Sequence, residues 1–324
     1  MRGSHRLVRG NETRLRVDAA ITCSIESKRL GIKFDVVEAP EWMAGSLGIS
    51  LLRRLPVVVN LHSPLSLIAE LGGQSSRDIR FADRLERAAA RAADVVTAPS
   101  AVLASYLRER SWLQTDPEIV RHPIDATYWE SVGPANNTDP IVLAIGRIEQ
   151  AKNPDVLVRA VAAIPGDRIE VVFVGRGAGV INGRTPEAWI SSLARDLGVR
   201  CSILGELSRH ELKPVIERAR VIAVASRFET FSLAAIEGMA AGRPVVCSET
   251  VGAAEIISDT GAGVVVPPSN AELLGQALAP YLHDAEHAAI AGRLGREVVR
   301  AGCDPSVIAT KRLECYRAAI DHAA

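Results

Sequence analysis

Two carboxylates eight residues apart stand out in this 324-residue chain: Glu229 and Glu237, in Ser226-Arg-Phe-Glu229-Thr-Phe-Ser232-Leu-Ala-Ala-Ile-Glu237-Gly-Met-Ala-Ala-Gly242-Arg-Pro244. Paired acids invite a hydrolytic reading, in which two carboxyls about 5–9.5 Å apart straddle one glycosidic bond. An acid on a loop and another on the helix behind it do not straddle a substrate that way. They suit contacts with different parts of one long ligand. A second group, Gly146-Arg147-Ile-Glu-Gln-Ala-Lys152-Asn-Pro154, delivers two cations on one short loop before a helix start. Arginine forks and lysine ammoniums are the usual partners of diphosphate oxygens, and a helix N-terminus adds amides. This is not a P-loop, because the second glycine and the Lys-Ser/Thr pair are missing.

These side chains need elements to hold them. Ser232 is the expected N-cap of a short helix, its hydroxyl accepting a first-turn amide. Gly242 with Pro244 supplies the stop. Leu233, Ile236 and Ala240 fall on one helical face, with Glu237 about 40° from Leu233. A carboxylate beside an apolar stripe is costly to bury alone, so Glu237 should have a partner.

The length suffices for two domains with separate cores. Acids and bases balance, 38 against 38, which argues against a general nucleic-acid binder. Five scattered cysteines without a C-x-x-C pair fit reduced thiols in the cytoplasm. No apolar run approaches the roughly 18 residues of a membrane span. Met1 to Arg16 has five arginines and one acid but no apolar core, so it is an arginine-rich lead-in and not a secretory signal.

Phe34–Glu38, Leu55–Leu61 and Asp94–Ala98 are expected strands, with helices over Met43–Arg54 and Ser76–Ala93. Continuous Val-rich runs alternating with helical patterns indicate parallel sheets covered on both faces. The Ser76–Ala93 helix carries Arg77, Arg80, Arg84, Arg87 and Arg91 as a basic stripe, beside an apolar arc of Phe81, Leu85, Ala88 and Ala92. The stripe suits anionic lipid or an acidic partner; alternatively it is a solvated face balanced by Asp83, Glu86 and Asp94. Residues 131–140 lack apolar periodicity and form the expected linker. A second series follows, with strands at Ile141–Ile145, Ile169–Val174, Cys201–Leu204, Val221–Ala225, Pro244–Cys247 and Gly263–Val266. Its helices lie near 154–164, 187–197, 208–219, 232–241 and 270–282, and helical patterns close the chain. The expectation is an α/β protein of two Rossmann-like domains, 1–125 and 126–303, with ligands at the carboxyl ends of the strands. Val174-Gly175-Arg-Gly177-Ala-Gly179 resembles a dinucleotide loop, but the loop is prolonged and no acid ends the next strand, which disfavours a nicotinamide oxidoreductase.

Arg147…Lys152, the Glu229-to-Glu237 stretch, Gly252-Ala-Ala-Glu255 and Gly263-Val-Val-Val-Pro267 together resemble the retaining nucleotide-sugar glycosyltransferases of family 4, which have the GT-B fold. In the first half, Pro56-Val-Val-Val-Asn-Leu-His62-Ser-Pro64, Pro99-Ser100 and His122-Pro123-Ile-Asp125 match as well. The resemblance implies that Arg147 and Lys152 hold the donor diphosphate and stabilise the leaving charge. It places Glu229 on the donor sugar, Glu237 on the ribose, and Thr230, Phe231, Ser232 and Leu233 at the phosphates. Gly146 belongs to the diphosphate loop, Leu207 to the turn holding the base, and His62 faces the donor sugar from the first domain as a catalytic group; its alternative is a satisfied turn histidine. The last helix, 304–324, crosses back to the first domain.

No Asp-x-Asp pair appears, and the family uses no metal ion or cofactor beyond the donor. The implied acceptor is a glycan or lipid-linked sugar of an envelope or capsule pathway. The implied setting is cytoplasmic, with peripheral contact at the inner membrane face and no nucleic acid. One departure is an absent opening strand and Gly-rich turn: the only Gly-Gly is Gly72-Gly73. The amino-terminal domain is therefore expected to be incomplete, which raises a donor-binding, catalytically impaired fragment as the alternative to an active transferase.

Overall fold

The computed structural model describes residues 12–29, 33–52, 55–166 and 169–323. They form two compact units, one of residues up to Val120 together with those from Ala309, the other Arg121–Ile308. The limits read from sequence, 125/126 and 303/304, fall a few residues inside the second unit.

The first unit runs α1 (Glu12–Arg29), β1 (Val37–Pro40), α2 (Leu47–Leu51), β2 (Val57–Asn60), α3 (Leu65–Leu71), α4 (Arg77–Arg91), β3 (Val95–Ala98), α5 (Ala101–Glu109) and β4 (Glu118–Ile119). Its sheet is parallel throughout, in the order β1-β2-β3-β4. All of β2 is buried, as its continuous valines require. Residues 1–11 of the arginine-rich lead-in lie outside the described residues; 12–16 open α1. The expected helix over 43–54 is shorter, a 3₁₀ turn at Trp42–Ala44 followed by α2, and Arg53 and Arg54 lie outside the described residues.

Helix α4 corrects the sequence reading of its faces. Phe81 is exposed, and the buried face is Ala82, Asp83, Glu86, Ala89 and Ala90. Asp83 and Glu86 are therefore not solvated counter-charges. Asp83 accepts the Trp112 indole N–H at 3.1 Å, and Glu86 pairs with Arg16 of α1 at 2.6 Å. Asp94 accepts the Val57 amide at 2.7 Å. A purely apolar periodicity misplaces such a helix because its buried face is partly ionic.

The second unit contains α6 (Ala126–Trp129), β5 (Ile141–Ile145), α7 (Pro154–Ala162), β6 (Glu170–Val174), α8 (Pro186–Asp196), β7 (Arg200–Ile203), α9 (Arg209–Arg218), β8 (Val221–Val224), α10 (Leu233–Ala240), β9 (Val245–Ser248), α11 (Ala254–Ile257), β10 (Gly263–Val266), α12 (Ala271–His283) and α13 (Ala285–Cys303). Its parallel sheet has the order β10-β9-β8-β5-β6-β7. Leu143, Ile222 and Val245 join one core cluster, while Val142, Val221, Ala223 and Val246 join the other. Successive residues thus bury opposite faces, which is why these strands are apolar at every position.

The stretch 131–140 is not a free linker. Val132 and Ala135 are buried, Arg243 donates to the Gly133 carbonyl at 2.8 Å, and Arg296 donates to the Val132 carbonyl. Side-chain donors onto its backbone hold it, so no apolar pattern marks it. The final helix, α14 (Pro305–Ala323), places Arg312 and Tyr316 on the Glu38 carboxylate within the first unit. No helix among the described residues is long and apolar enough to cross a membrane.

Candidate active site

In the six-stranded sheet the chain starts at β5, moves outward through β6 and β7, and then returns to build β8, β9 and β10 on the other side of β5. The direction reverses between β5 and β8, and loops leaving the carboxyl ends of strands at such a switch point open a crevice. Here that crevice is an open cleft whose lining includes Gly146, Arg147, Lys152, Ser226 and Glu229.

The two loops are stitched together. Lys152 Nζ lies 2.7 Å from Glu229 Oε1, which also accepts the Ser226 hydroxyl at 2.5 Å. Arg227 donates its amide to the Ala151 carbonyl at 2.8 Å and its Nε to Asn153 Oδ1 at 2.9 Å. Asn153 is buried, has φ 49° and donates Nδ2 to the Ala225 carbonyl at 2.9 Å. Asparagine tolerates that left-handed turn, and Pro154 then opens α7. Glu229 is fixed from behind as well, its amide donating to Thr250 and its carbonyl accepting from Gly252. Arg147 is mostly exposed and pairs with Glu149 at 3.0 Å, leaving its guanidinium at the cleft mouth.

Gly146 has φ 135° with open space where a side chain would stand, and its amide donates to Val174 O. Gly175, at φ 141°, packs so closely that a Cβ there would collide with the Gly146 carbonyl. The Gly175–Gly179 stretch continues into a bridged turn at Ile181 and Arg184 before α8 begins, so it does not enter a helix as a dinucleotide loop does.

Ser232 stands at the start of α10 but does not cap it. Its φ is 82°, and its buried hydroxyl has no partner among the described residues. The left-handed backbone turns the hydroxyl away from the amides it was expected to accept. Leu233 is half exposed instead of sharing the apolar face with Ile236 and Ala240; the buried positions are Ala235, Ile236, Gly238, Met239 and Ala240. Phe231 is 2% exposed and meets the His122 ring edge-on at 5.2 Å, so its side chain belongs to the core. Thr230 is half-buried beside it.

Glu237 is the second acid. Burial raises its carboxyl above the ordinary range, and Arg209 opposes that rise from 3.7 Å. Arg209 is the partner that the sequence required but did not name. It stacks over Tyr128 at 4.1 Å and Trp129 at 5.3 Å. The signal was the turn before α9: Ser208 and Glu211 form a capping box that sets Arg209 in the first turn. Leu207 packs against the core just after Gly205, at φ 74°.

His62 belongs to the first unit, at the end of β2. Its amide donates to Glu41 Oε2 at 2.8 Å. Partial desolvation, then the Arg312 charge, lowers the imidazole pKa, although much of the residue is solvent-exposed.

Residues 127–298 match the family model described as glycosyl transferases group 1, and residues 4–121 match that of a glycosyl transferase 4-like domain. The D-inositol 3-phosphate glycosyltransferase of Nocardia farcinica is 30% identical over 319 residues, 91% of this chain and 69% of that protein. The corresponding protein of Mycobacteroides abscessus is 36% identical over 146 residues, 44% of this chain and 32% of its own length. Among solved structures, the sucrose-phosphate synthase of Thermosynechococcus elongatus superposes with a TM-score of 0.72 at 24% identity, covering 95% of this chain and 78% of that one. Anabaena HepE in complex with UDP-glucose gives 0.74 at 19% identity, covering 91% and 80%. With the two parallel sheets, these likenesses identify the GT-B fold.

Proposed function

Because the chain belongs to the glycosyl transferases group 1, we propose that it is a retaining transferase moving a hexose-like sugar from a nucleotide sugar to a glycan or lipid-linked acceptor. The observation that carries this reading is the Lys152–Glu229 pair at 2.7 Å, set at the switch point between β5 and β8 and close to the start of α10. It joins one cation for a leaving diphosphate to one acid for a sugar hydroxyl. The likeness to a UDP-glucose complex supports the same donor chemistry.

In this reading Arg147 and Lys152 take the diphosphate charge, and the Thr230–Leu233 segment turns backbone amides toward phosphate. The side chain of Phe231 anchors that segment in the core. Glu237 accepts the ribose hydroxyls, held by Arg209, and the backbone about Leu207 faces the base. His62 serves the sugar. Departure of the diphosphate is stabilised by fixed cations and amides, without a metal ion or cofactor.

A screen of UDP-, GDP- and ADP-sugars by thermal unfolding tests the donor, since a ligand at 100 times its dissociation constant adds about 2.7 kcal/mol. No shift with any of the three would remove the reading. Glu237→Ala is expected to weaken binding of the free nucleotide about tenfold, the loss of ~1.4 kcal/mol that one charge-assisted hydrogen bond represents. Titration calorimetry giving wild-type affinity would exclude the ribose contact.

A further inference from the structure

Residue Glu41 lies just after β1 and is 0% exposed. Both its oxygens take backbone amides of the segment after β2: Oε2 from His62 at 2.8 Å and Oε1 from Ser63 at 2.5 Å. Two residues on, Leu65 donates its amide to Glu86 Oε2 at 2.9 Å, and Glu86 is also 0% exposed. Residues 62–65 therefore hang from two buried carboxylates. Glu86 has a cation, Arg16, which is itself held by Glu12 at 2.6 Å. Among the described residues no cation pairs with Glu41. The backbone leaving Glu41 is bent to make this fit: Met43 and Ala44 have φ of 69° and 51°, uncommon for side chains of that size.

We propose that Glu41 is a positioning residue whose ionised carboxylate fixes the backbone at His62 and Ser63, and with it the direction of the His62 imidazole. The catalytic half of this statement rests on the reading of His62 given above. The clamp itself rests on the two amide bonds. An ionised carboxylate offers two acceptor oxygens to two adjacent N–H groups. Protonation turns one oxygen into a hydroxyl donor facing an amide donor, and the clamp loses one of its bonds.

Burial pushes the Glu41 carboxyl up from the ordinary 4.5 to about 7; the two amides pull it down and the Glu86 charge adds to the rise. The charge that acts on Glu41 is Glu86 of α4, itself paired with Arg16 of α1, while the charges acting on the His62 imidazole are Arg312 and Glu38. The clamp thus changes state near neutral pH. Stability moves the other way. Between about 4.5 and 7 the native carboxyl binds its proton while the unfolded one has lost it, so stability falls as pH rises across that window and then levels off.

The test is Glu41→Gln with UDP-glucose as the donor probe. Glutamine keeps the shape but sets its own NH2 against one of the two amides. Turnover is expected to fall on the order of 10–10²-fold, the scale of misplacing a reacting group by about an ångström. UDP affinity stays at the wild-type value, and Tm at pH 8 is unchanged or raised, because a buried charge beside Glu86 has gone. The acid limb of the wild-type kcat profile near pH 7 disappears. Unchanged turnover, or a joint loss of UDP binding and Tm, overturns the proposal.

Hydrogen exchange on the wild-type chain gives a second measurement. Protection of the His62 and Ser63 amides, corrected for intrinsic rates, is expected to drop as pH falls through about 7. Flat protection overturns the clamp even if the variant never folds. His62→Ala separates the two claims: normal turnover there, with pH-dependent protection intact in wild type, means that the catalytic reading of His62 has failed and the clamp has not.

Discussion

Replacing Lys152 with alanine is expected to lower sugar transfer on the order of 10²–10³-fold, the scale for losing one preorganised electrostatic contact in an active site. The ammonium is the half-buried cation of the cleft, 2.7 Å from Glu229 with 28% of its side chain exposed, whereas Arg147 is 59% exposed and paired with Glu149. A cation with little water around it stabilises departing charge more than one at the rim. Its removal also leaves the Glu229 side chain with only the Ser226 hydroxyl among the described residues. Glu229→Ala should therefore cost a similar factor, and the double variant less than the product of the two, as expected for residues acting as a unit. Near-wild-type kcat in Lys152→Ala would remove it from the chemistry. Strict additivity would separate the two roles.

The second large effect is on stability. Arg243 is 0% exposed and forms no ion pair among the described residues, although the Glu217 charge acts on it; it donates to the carbonyls of Ile216 at 3.0 Å, Glu217 at 3.0 Å and Gly133 at 2.8 Å. Burial, then repulsion from Arg296, lowers its pKa to about 10. Arg243→Met fills much of the same space but strips these carbonyls of their donor, at about 1–3 kcal/mol each, partly offset by no longer burying a charge. The net loss is expected to be about 3–5 kcal/mol in urea unfolding of the second unit. A loss below about 1 kcal/mol would show that other donors reach those carbonyls.

The second unit was largely legible from sequence. Ile141–Ile145 and Gly263–Val266 fall where the apolar runs placed them, because both sheet faces are buried and a continuous run has one meaning there. Lys152 and Glu229, far apart in sequence, are assigned to one site by the family resemblance, and the sheet order sets β5 and β8, the strands that precede them, side by side. What the sequence concealed was mostly polar. Arg16, Asp83 and Glu86 are buried by pairing, which a hydropathy pattern reads as surface. Ser232 carries the composition of a cap but adopts a left-handed backbone, and Phe231, expected at the phosphates, turns its side chain into the core. Motif identity locates a segment; the backbone angle decides which of its atoms face the ligand.

The grouping of residues from Ala309 with the first unit has a consequence for synthesis. Domains generally fold as they emerge, the amino-terminal one first. Here Glu38 precedes the whole second unit in the chain, while its partners Arg312 and Tyr316 follow it. All of the second unit is synthesised before the first can close. A released chain truncated after Ile308 should therefore show protease resistance in the Arg121–Ile308 half while the earlier residues remain cleavable. Order of appearance and order of completion are reversed in this chain.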